Sequence, residues 1–144
     1  MEITANAIQK VVENDNVLFT TTVVPGNCSI IHNEDSGLVT LRGLSNGQCR
    51  ARFRVTFTGN MKADSAETIQ RVTLLSLAAS RNGEIIPTST MTIAVGDTTS
   101  TYNIGTEFFI DVPIGCCTTI AFKNITNGID IDILNANMIV ERVA

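Results

Sequence analysis

The sequence predicts an all-β protein, a jelly-roll β-sandwich of roughly eight to ten antiparallel strands. Segments rich in Val, Ile, Thr and Phe follow one another at intervals of about ten residues, with Gly, Pro, Asn and Asp between them. No segment repeats its apolar residues at the spacing of a helix. At 144 residues the chain is long enough to bury a core without disulfides, so we expect a single jelly-roll domain over residues 1–144.

The clearest strand is the segment QCRARFRVTFTG at 48–59, where polar and apolar residues alternate without a break. A period of two places Phe53, Val55 and Phe57 on a buried face. The opposite face carries three arginines: Arg50, Arg52 and Arg54. Three guanidinium groups on one exposed face need acids, water or a partner.

This strand is expected to form a hairpin with the strand before it. The segment LVTLR at 38–42 is also typical of a strand, and Asn46-Gly47 lies between the two. Both turn positions tolerate positive φ, which a tight hairpin turn requires. We therefore predict that these two strands pair at the centre of the fold.

The other strands are assigned from the same signals. In chain order the predicted segments are 3–12, 16–24, 28–32, 69–79, 85–87, 90–95, 102–104, 107–112, 116–123, 129–133 and 138–143. Asn82-Gly83 and Asn127-Gly128 mark two further turns. The polar segment 60–67 is expected to be a loop.

Composition excludes several classes of function. A net charge of −4 and a pI near 4.8 give nucleic acid no general attraction to the protein. No apolar run is long enough to cross a bilayer, so no membrane partner is expected. The first residues lack a basic and then apolar pattern, which predicts no secretory signal and synthesis in the cytoplasm.

The four cysteines do not predict a metal site. They are Cys28, Cys49, Cys116 and Cys117, and no C-x-x-C spacing occurs. In a strand, Cys116 and Cys117 would point to opposite faces and would not bond each other. A site built from Cys28, His32 and Cys49 across a sheet is conceivable, but small buried thiols are the favoured interpretation. No metal or cofactor is expected.

Catalytic signatures are also missing from the sequence. His32 is the only histidine, and a cysteine nucleophile at 116 or 117 would have no other base available. The usual hydrolase, zinc and nucleotide-binding motifs do not occur. Asp130 and Asp132 share one face of a strand, where they could hold calcium but are more typical of a wet face. The sequence therefore predicts a non-enzymatic protein with no catalytic residues.

Apolar residues exceed what one core needs. Phe108 and Phe109 are neighbours and must face opposite sides of their strand, and Leu74 to Leu77 is apolar on both faces, so we expect cover on both sides. Such a surplus is usually covered by another subunit, which predicts a homo-oligomer. The alternative is that loops of the same chain cover these residues. The expected contact residues are Phe108, Phe109, Met138, Ile139, Val140 and Val143.

Four segments carry a resemblance to a known group of proteins. They are VLFTTTVVPGNCSIIHNEDSGLVTLRGL, CRARFRVTFTGN, FFIDVPIGCCTTIAFKN and the ending NANMIVERVA. Together they resemble small proteins encoded in phages and prophages of Firmicutes, and the strand layout is similar to the trimeric jelly rolls of tumour necrosis factor and complement globular heads. The tips of bacterial exosporium collagen-like proteins are similar too, but this sequence has no Gly-X-Y stalk.

The resemblance implies a virion structural protein with a TNF-like fold. Its expected role is capsid decoration as a homotrimer on the virion surface, with the phage major capsid protein as partner. In that setting Arg50, Arg52 and Arg54 are expected to pair with acids of a neighbouring subunit or of the capsid. The alternative is a carbohydrate-binding or host-surface-binding module, such as a phage fibre tip or a spore-surface trimer, in which Tyr102 would supply the aromatic contact.

Overall fold

The predicted all-β jelly-roll sandwich is confirmed by a computed structural model that describes residues 1–45, 47 and 49–144. The described part of the chain forms twelve strands and one short 3₁₀ turn at Pro87–Ser89. The strands are β1 (Glu2–Ala5), β2 (Gln9–Val11), β3 (Thr21–Val24), β4 (Ile30–His32), β5 (Val39–Arg42), β6 (Arg50–Ala63), β7 (Thr73–Arg81), β8 (Glu84–Ile85), β9 (Met91–Val95), β10 (Tyr102–Pro113), β11 (Cys117–Asn124) and β12 (Ile131–Arg142). Within the residues that the structure describes, no helix is long and apolar enough to span a membrane.

Two antiparallel sheets enclose the core. Sheet A has the order β10-β6-β12-β1-β3, with β2 also paired to β12. Sheet B has the order β4-β5-β11-β7-β8, with β9 also paired to β7. Consecutive strands such as β10, β11 and β12 alternate between the sheets, so the chain repeatedly crosses the end of the sandwich, as in a jelly roll.

The core is centred on aromatic side chains from both sheets. Phe57 of sheet A stacks on Phe122 of sheet B with ring centroids 4.4 Å apart, and Phe19 meets Phe57 edge-on at 6.4 Å. All three side chains are fully buried. These contacts hold the two sheets together because ring pairs add to the free energy gained from burying apolar area.

The predicted central hairpin is wrong. β5 pairs with β4 and β11 in sheet B, whereas β6 pairs with β10 and β12 in sheet A. Each strand does bury one face, but they bury it from opposite sides of the same core. The connection between them therefore passes from one sheet to the other. Of the predicted Asn46-Gly47 turn, Asn46 lies outside the described residues, and Gly47 has a φ of +89°.

The other two Asn-Gly sites differ in what they connect. Asn82 and Gly83 have φ values of +50° and +87°, and they join β7 to β8 in a tight hairpin, as predicted. Gly128 also has a positive φ, but its turn lies between β11 and β12, which belong to different sheets. An Asn-Gly pair thus indicates a turn but does not determine whether the two strands that it joins pair with each other.

Strand boundaries depart from the predictions where packing overrides polarity. The predicted loop at 60–67 is partly wrong, because β6 continues to Ala63 and keeps Met61 and Ala63 in the core. Conversely, the strand predicted from residue 69 begins only at Thr73. Leu74 is 62% exposed on the outer face of sheet B, so the first half of this strand is not covered on both sides within one chain. The second half is, because the consecutive residues Leu77 to Ser80 are all buried.

Candidate subunit interface

The outer face of sheet A brings together most of the residues that the sequence marked for binding. Side chains on this face alternate with core residues along each strand, and the pairing of β10 with β6 and of β6 with β12 aligns them in rows. The side chains on this outer face include Arg50, Arg52, Arg54 and Thr56 of β6, Glu107, Phe109 and Asp111 of β10, Asn137, Ile139 and Glu141 of β12, Glu2 of β1, Val24 of β3, and Val143 after β12.

The arginines of this face are paired within their own chain. Asp111 lies between Arg50, whose Nε is 3.1 Å from Oδ2, and Arg52, whose Nε and Nη2 donate to Oδ1 and Oδ2 at 2.7 and 3.0 Å. Arg54 donates to Glu141, its register neighbour on β12. The three arginines therefore already have acidic partners within one chain. The expectation that they meet acids of another molecule stays a prediction. Their partners within the chain lie at least 59 residues away in sequence, which alternation cannot reveal.

These ion pairs set the protonation of Asp111. The hydrogen bond from Arg52 holds the pKa of Asp111 below its usual range, and the charges of Arg50 and Arg52 add to this effect while partial desolvation opposes it. The same hydrogen bond raises the pKa of Arg52. Asp111 therefore stays charged well into the acidic range.

Three apolar side chains lie exposed among the ion pairs. Phe109 is 60% exposed opposite Arg54, Ile139 is 40% exposed opposite Thr56, and Val143 is 43% exposed. The opposite orientation of Phe108 and Phe109 is as predicted: Phe108 faces the core, where its ring centroid is 6.2 Å from that of Phe122.

The structure corrects half of the predicted contact set. Met138 and Val140 are fully buried in the core, and Phe108 packs against it. Because strand residues alternate between faces, only every second residue of a strand can reach another subunit. The predicted residues that remain accessible are Phe109, Ile139 and Val143.

Two further pairs of polar groups on this face are also hydrogen-bonded within the chain. Thr56 Oγ1 donates to Glu107 Oε2 at 3.1 Å, and Asn137 Nδ2 donates to Glu2 Oε2 at 2.8 Å. Polar groups that already have partners lose less on leaving water than free ones do. The face can therefore be covered by a second apolar surface without a new partner for each charge.

A second ionic cluster lies at the opposite end of sheet A. Asp132 is 5% exposed, and Lys62 Nζ approaches its Oδ2 at 3.1 Å. Lys10 Nζ lies 3.4 Å from Asp130 and 3.9 Å from Asp64. The interpretation of Asp130 and Asp132 as a wet strand face is thus wrong for Asp132, because the register of β12 with β6 sets Lys62 beside it.

The pKa values of the two buried carboxyl groups of that cluster are shifted in opposite directions. Burial raises the pKa of Asp132, and its hydrogen bond with Asp64 adds to the rise. That hydrogen bond, together with the one from the Ala66 amide, lowers the pKa of Asp64. Lys62 and Asp64 could not be predicted from the sequence, since nothing local in their segment indicates partners some seventy residues later.

The cysteines are not arranged as predicted, whereas His32 is hydrogen-bonded at the end of its strand. All four thiols are exposed and free, contrary to the expected burial. His32 Nε2 lies 2.9 Å from the Ser36 carbonyl oxygen, and its ring meets Phe19 edge-on at 6.3 Å. Within the residues described, no three His, Cys, Asp or Glu side chains converge as metal ligands would. The conceivable site from Cys28, His32 and Cys49 is therefore not assembled in this chain.

Comparison with known proteins extends the fold assignment. No family model and no curated protein matches the sequence. Among solved structures, the globular domain of a zebrafish complement 1qA protein is similar over 96% of this chain and 93% of its own, with a TM-score of 0.54 and 8% identity. The PRD1 vertex protein P5 aligns over 99% and 95%, with a TM-score of 0.49 and 11% identity. The chain thus has a C1q/TNF-like jelly-roll fold, and identities this low show the fold alone.

Proposed function

We propose that this protein is a non-enzymatic structural protein that forms a homotrimer through the outer face of sheet A and decorates the capsid of a bacteriophage. The observation that supports a trimer is a group of three exposed apolar side chains, Phe109, Ile139 and Val143, on a face whose charges are already paired. In a monomer these three apolar side chains stay in contact with water. Covering the group with another subunit removes apolar area from water at little electrostatic cost.

The distribution of apolar side chains across sheet A suits a closed ring. Phe109 lies on β10 at one edge of the sheet, and Val24, which is in register with Glu2, lies on β3 at the other edge. Ile139 lies between them. In a ring of identical subunits, each contact joins two different surfaces of the chain. Rotation about an axis facing sheet A would bring the β10 side of one subunit against the β3 side of the next.

The measured mass in solution tests the trimer directly. Mass photometry and sedimentation velocity at micromolar concentration should give three times 15.5 kDa. A single species of one chain mass would refute the assembly. The measurement does not depend on knowing the binding partner.

The capsid role rests on the sequence resemblance to phage and prophage proteins, and the trimer supports it. A trimer built on sheet A leaves sheet B and the loops at both ends free to contact a capsid surface, with the major capsid protein as the proposed partner. Synthesis would occur in the bacterial cytoplasm. Mass spectrometry of purified virions should detect the protein, and its absence from virions would remove this role while leaving the fold unchanged.

One observation favours a second candidate, a carbohydrate-binding or host-surface-binding module. Tyr102 is partly exposed at the start of β10, directly after a loop in which Asp97 fixes Thr99 and Ser100 by hydrogen bonds of 2.8 to 3.1 Å. An ordered polar loop beside an aromatic ring is a plausible sugar contact. A glycan array separates the two proposals, since a decoration protein should give no specific signal.

A further inference from the structure

All four cysteines lie at one end of the sandwich, although they are spread over ninety positions of sequence. Cys117 is the register partner of Arg42, and the Cys116 carbonyl oxygen accepts from the Gly43 amide at 2.9 Å. On the other side of β5, the Cys28 carbonyl oxygen lies 3.5 Å from Arg42 Nη1. The Cys49 carbonyl oxygen accepts from the amide of Ile114, two residues before Cys116, at 3.3 Å.

Their exposure is unusual for free cysteines. Cysteine is among the residue types most often buried, even where it forms no disulfide, and a buried thiol is inert. Here all four thiols are exposed and none is bonded to another. Four accessible thiols at one end of a small domain provide a reactive surface rather than part of a core.

The geometry disfavours two of the disulfides that could form within one chain, Cys28–Cys117 and Cys116–Cys117. Cys28 and Cys117 flank β5 on opposite sides, so two strand spacings, about 10 Å, separate them. A disulfide requires Cα atoms closer than about 7 Å. Cys116 and Cys117 are adjacent in the chain. The described residues also bring no three metal-ligating side chains together, which disfavours a metal at this end.

We propose that this end of the sandwich, which we call the thiol end, forms disulfides between copies of the protein. A thiolate of one copy attacks a low-molecular-weight disulfide such as oxidised glutathione, which gives a mixed disulfide and releases one glutathione thiol. A thiolate of a second copy then attacks the protein sulfur, forms the interchain S–S bond and releases the second glutathione thiol. Two protein thiols are oxidised and one glutathione disulfide is reduced.

Several thiols per chain allow more than pairwise joining. A chain with one reactive thiol can form only dimers, whereas a chain with two or more can form chains and networks. Reducing conditions in a cytoplasm would keep these thiols free, and an oxidising exterior would favour the bonds. The links would thus form after assembly, if the assembly leaves the cell as proposed above.

The test begins with the reduced, native protein. An aromatic disulfide reagent should titrate all four thiols without denaturant. Incubation with oxidised glutathione should then produce dimers and larger species on a denaturing gel, which dithiothreitol converts back to 15.5 kDa chains. Because the gel dissociates non-covalent contacts, the result does not depend on whether the proposed trimer exists. Single chains that carry only glutathione adducts, or that lose the mass of two hydrogens, would overturn the proposal.

Matched single-thiol variants test the position of the thiols. One set keeps each cysteine in turn and replaces the other three with Ser. The control replaces all four with Ser and adds Thr99→Cys, an exposed position at the opposite end of the sandwich, in the loop before β10. At least one thiol-end variant should dimerise faster than the control. Equal rates would show random collision of exposed thiols and would overturn the assignment.

Discussion

Asp111 and Arg52 are register partners in the pairing of β10 with β6, and they form a bidentate ion pair with distances of 2.7 and 3.0 Å. Two parallel hydrogen bonds give such a pair a fixed geometry that single surface contacts lack. Arg50 joins the same carboxylate at 3.1 Å. The pair therefore ties the edge strand β10 to the sheet through side chains as well as through the backbone ladder.

Asp111→Asn should destabilise the protein slightly near neutral pH, and the difference from wild type should shrink in acid. The lowered pKa of Asp111 means that its ion pairs stabilise the fold above the pKa of the unfolded chain, near pH 4. This contribution is lost as the pH falls through the folded-state value. Urea denaturation at a series of pH values checks the trend. A difference that grows in acid would contradict it.

Phe109→Ser combined with Ile139→Ser should convert the proposed trimer to single chains, because both side chains lie exposed on the outer face of sheet A. Mass photometry measures the result. Leu74→Ser is the matched control, since Leu74 is equally exposed on sheet B at 62% and should leave the trimer intact. If the control dissociates and the double variant does not, sheet B rather than sheet A forms the contact.

Lys62→Met should cost about 3 kcal/mol of unfolding free energy at neutral pH, because it leaves the buried Asp132 carboxylate without its cation. The raised pKa of Asp132 predicts the pH dependence. The Asp132 carboxyl binds its proton more readily in the folded state than in the unfolded chain, so the folded state gains stability as the pH falls. The cost of Lys62→Met should therefore diminish in acid. Guanidinium titrations at neutral and acidic pH measure both effects.

Lys10→Met is the control for that experiment. Lys10 contacts Asp64 and Asp130 in the same cluster, but half of its side chain is exposed. Its loss should cost less than about 1 kcal/mol. Equal costs for the two lysines would mean that burial does not govern this cluster.

Phe57→Ala should reduce the unfolding free energy by about 4 kcal/mol, since the ring is fully buried between Phe19 and Phe122. Leu74→Ala removes an exposed side chain and should change stability by less than about 0.5 kcal/mol. Thermal and urea unfolding compare the two. A small effect for Phe57 would indicate that the two sheets do not depend on this aromatic contact.

Alternation in the sequence predicted the faces of β6 correctly, with Phe53, Val55 and Phe57 buried and the arginines outside. It could not predict which sheet a strand joins, because β5 and β6 bury their apolar faces in one core from opposite sides. The partners of the charged groups depend on register between distant strands, which local patterns do not encode.

The same limit applies to the candidate sites. Phe109 and Ile139 were predicted as contact residues together with Met138 and Val140. That Met138 and Val140 face the core became known only from the structure, which shows which face of β12 is buried. Four cysteines scattered along the chain gave no sign of a common location. Their convergence follows from the positions of β5 and β11 in sheet B and of the chain that crosses beside them.

The position of β12 between β1 and β6 has a consequence for how the protein acquires its structure. The amino terminus of Met1 donates to the carbonyl of Val140, 139 residues later, so the first strand has no inner neighbour until the final strand has been synthesised. Such distant contacts make folding slow, because a long loop must close before they form. A chain still held on the ribosome would expose the edges of β1 and β6 together, and chaperone binding at that stage would protect it from aggregation.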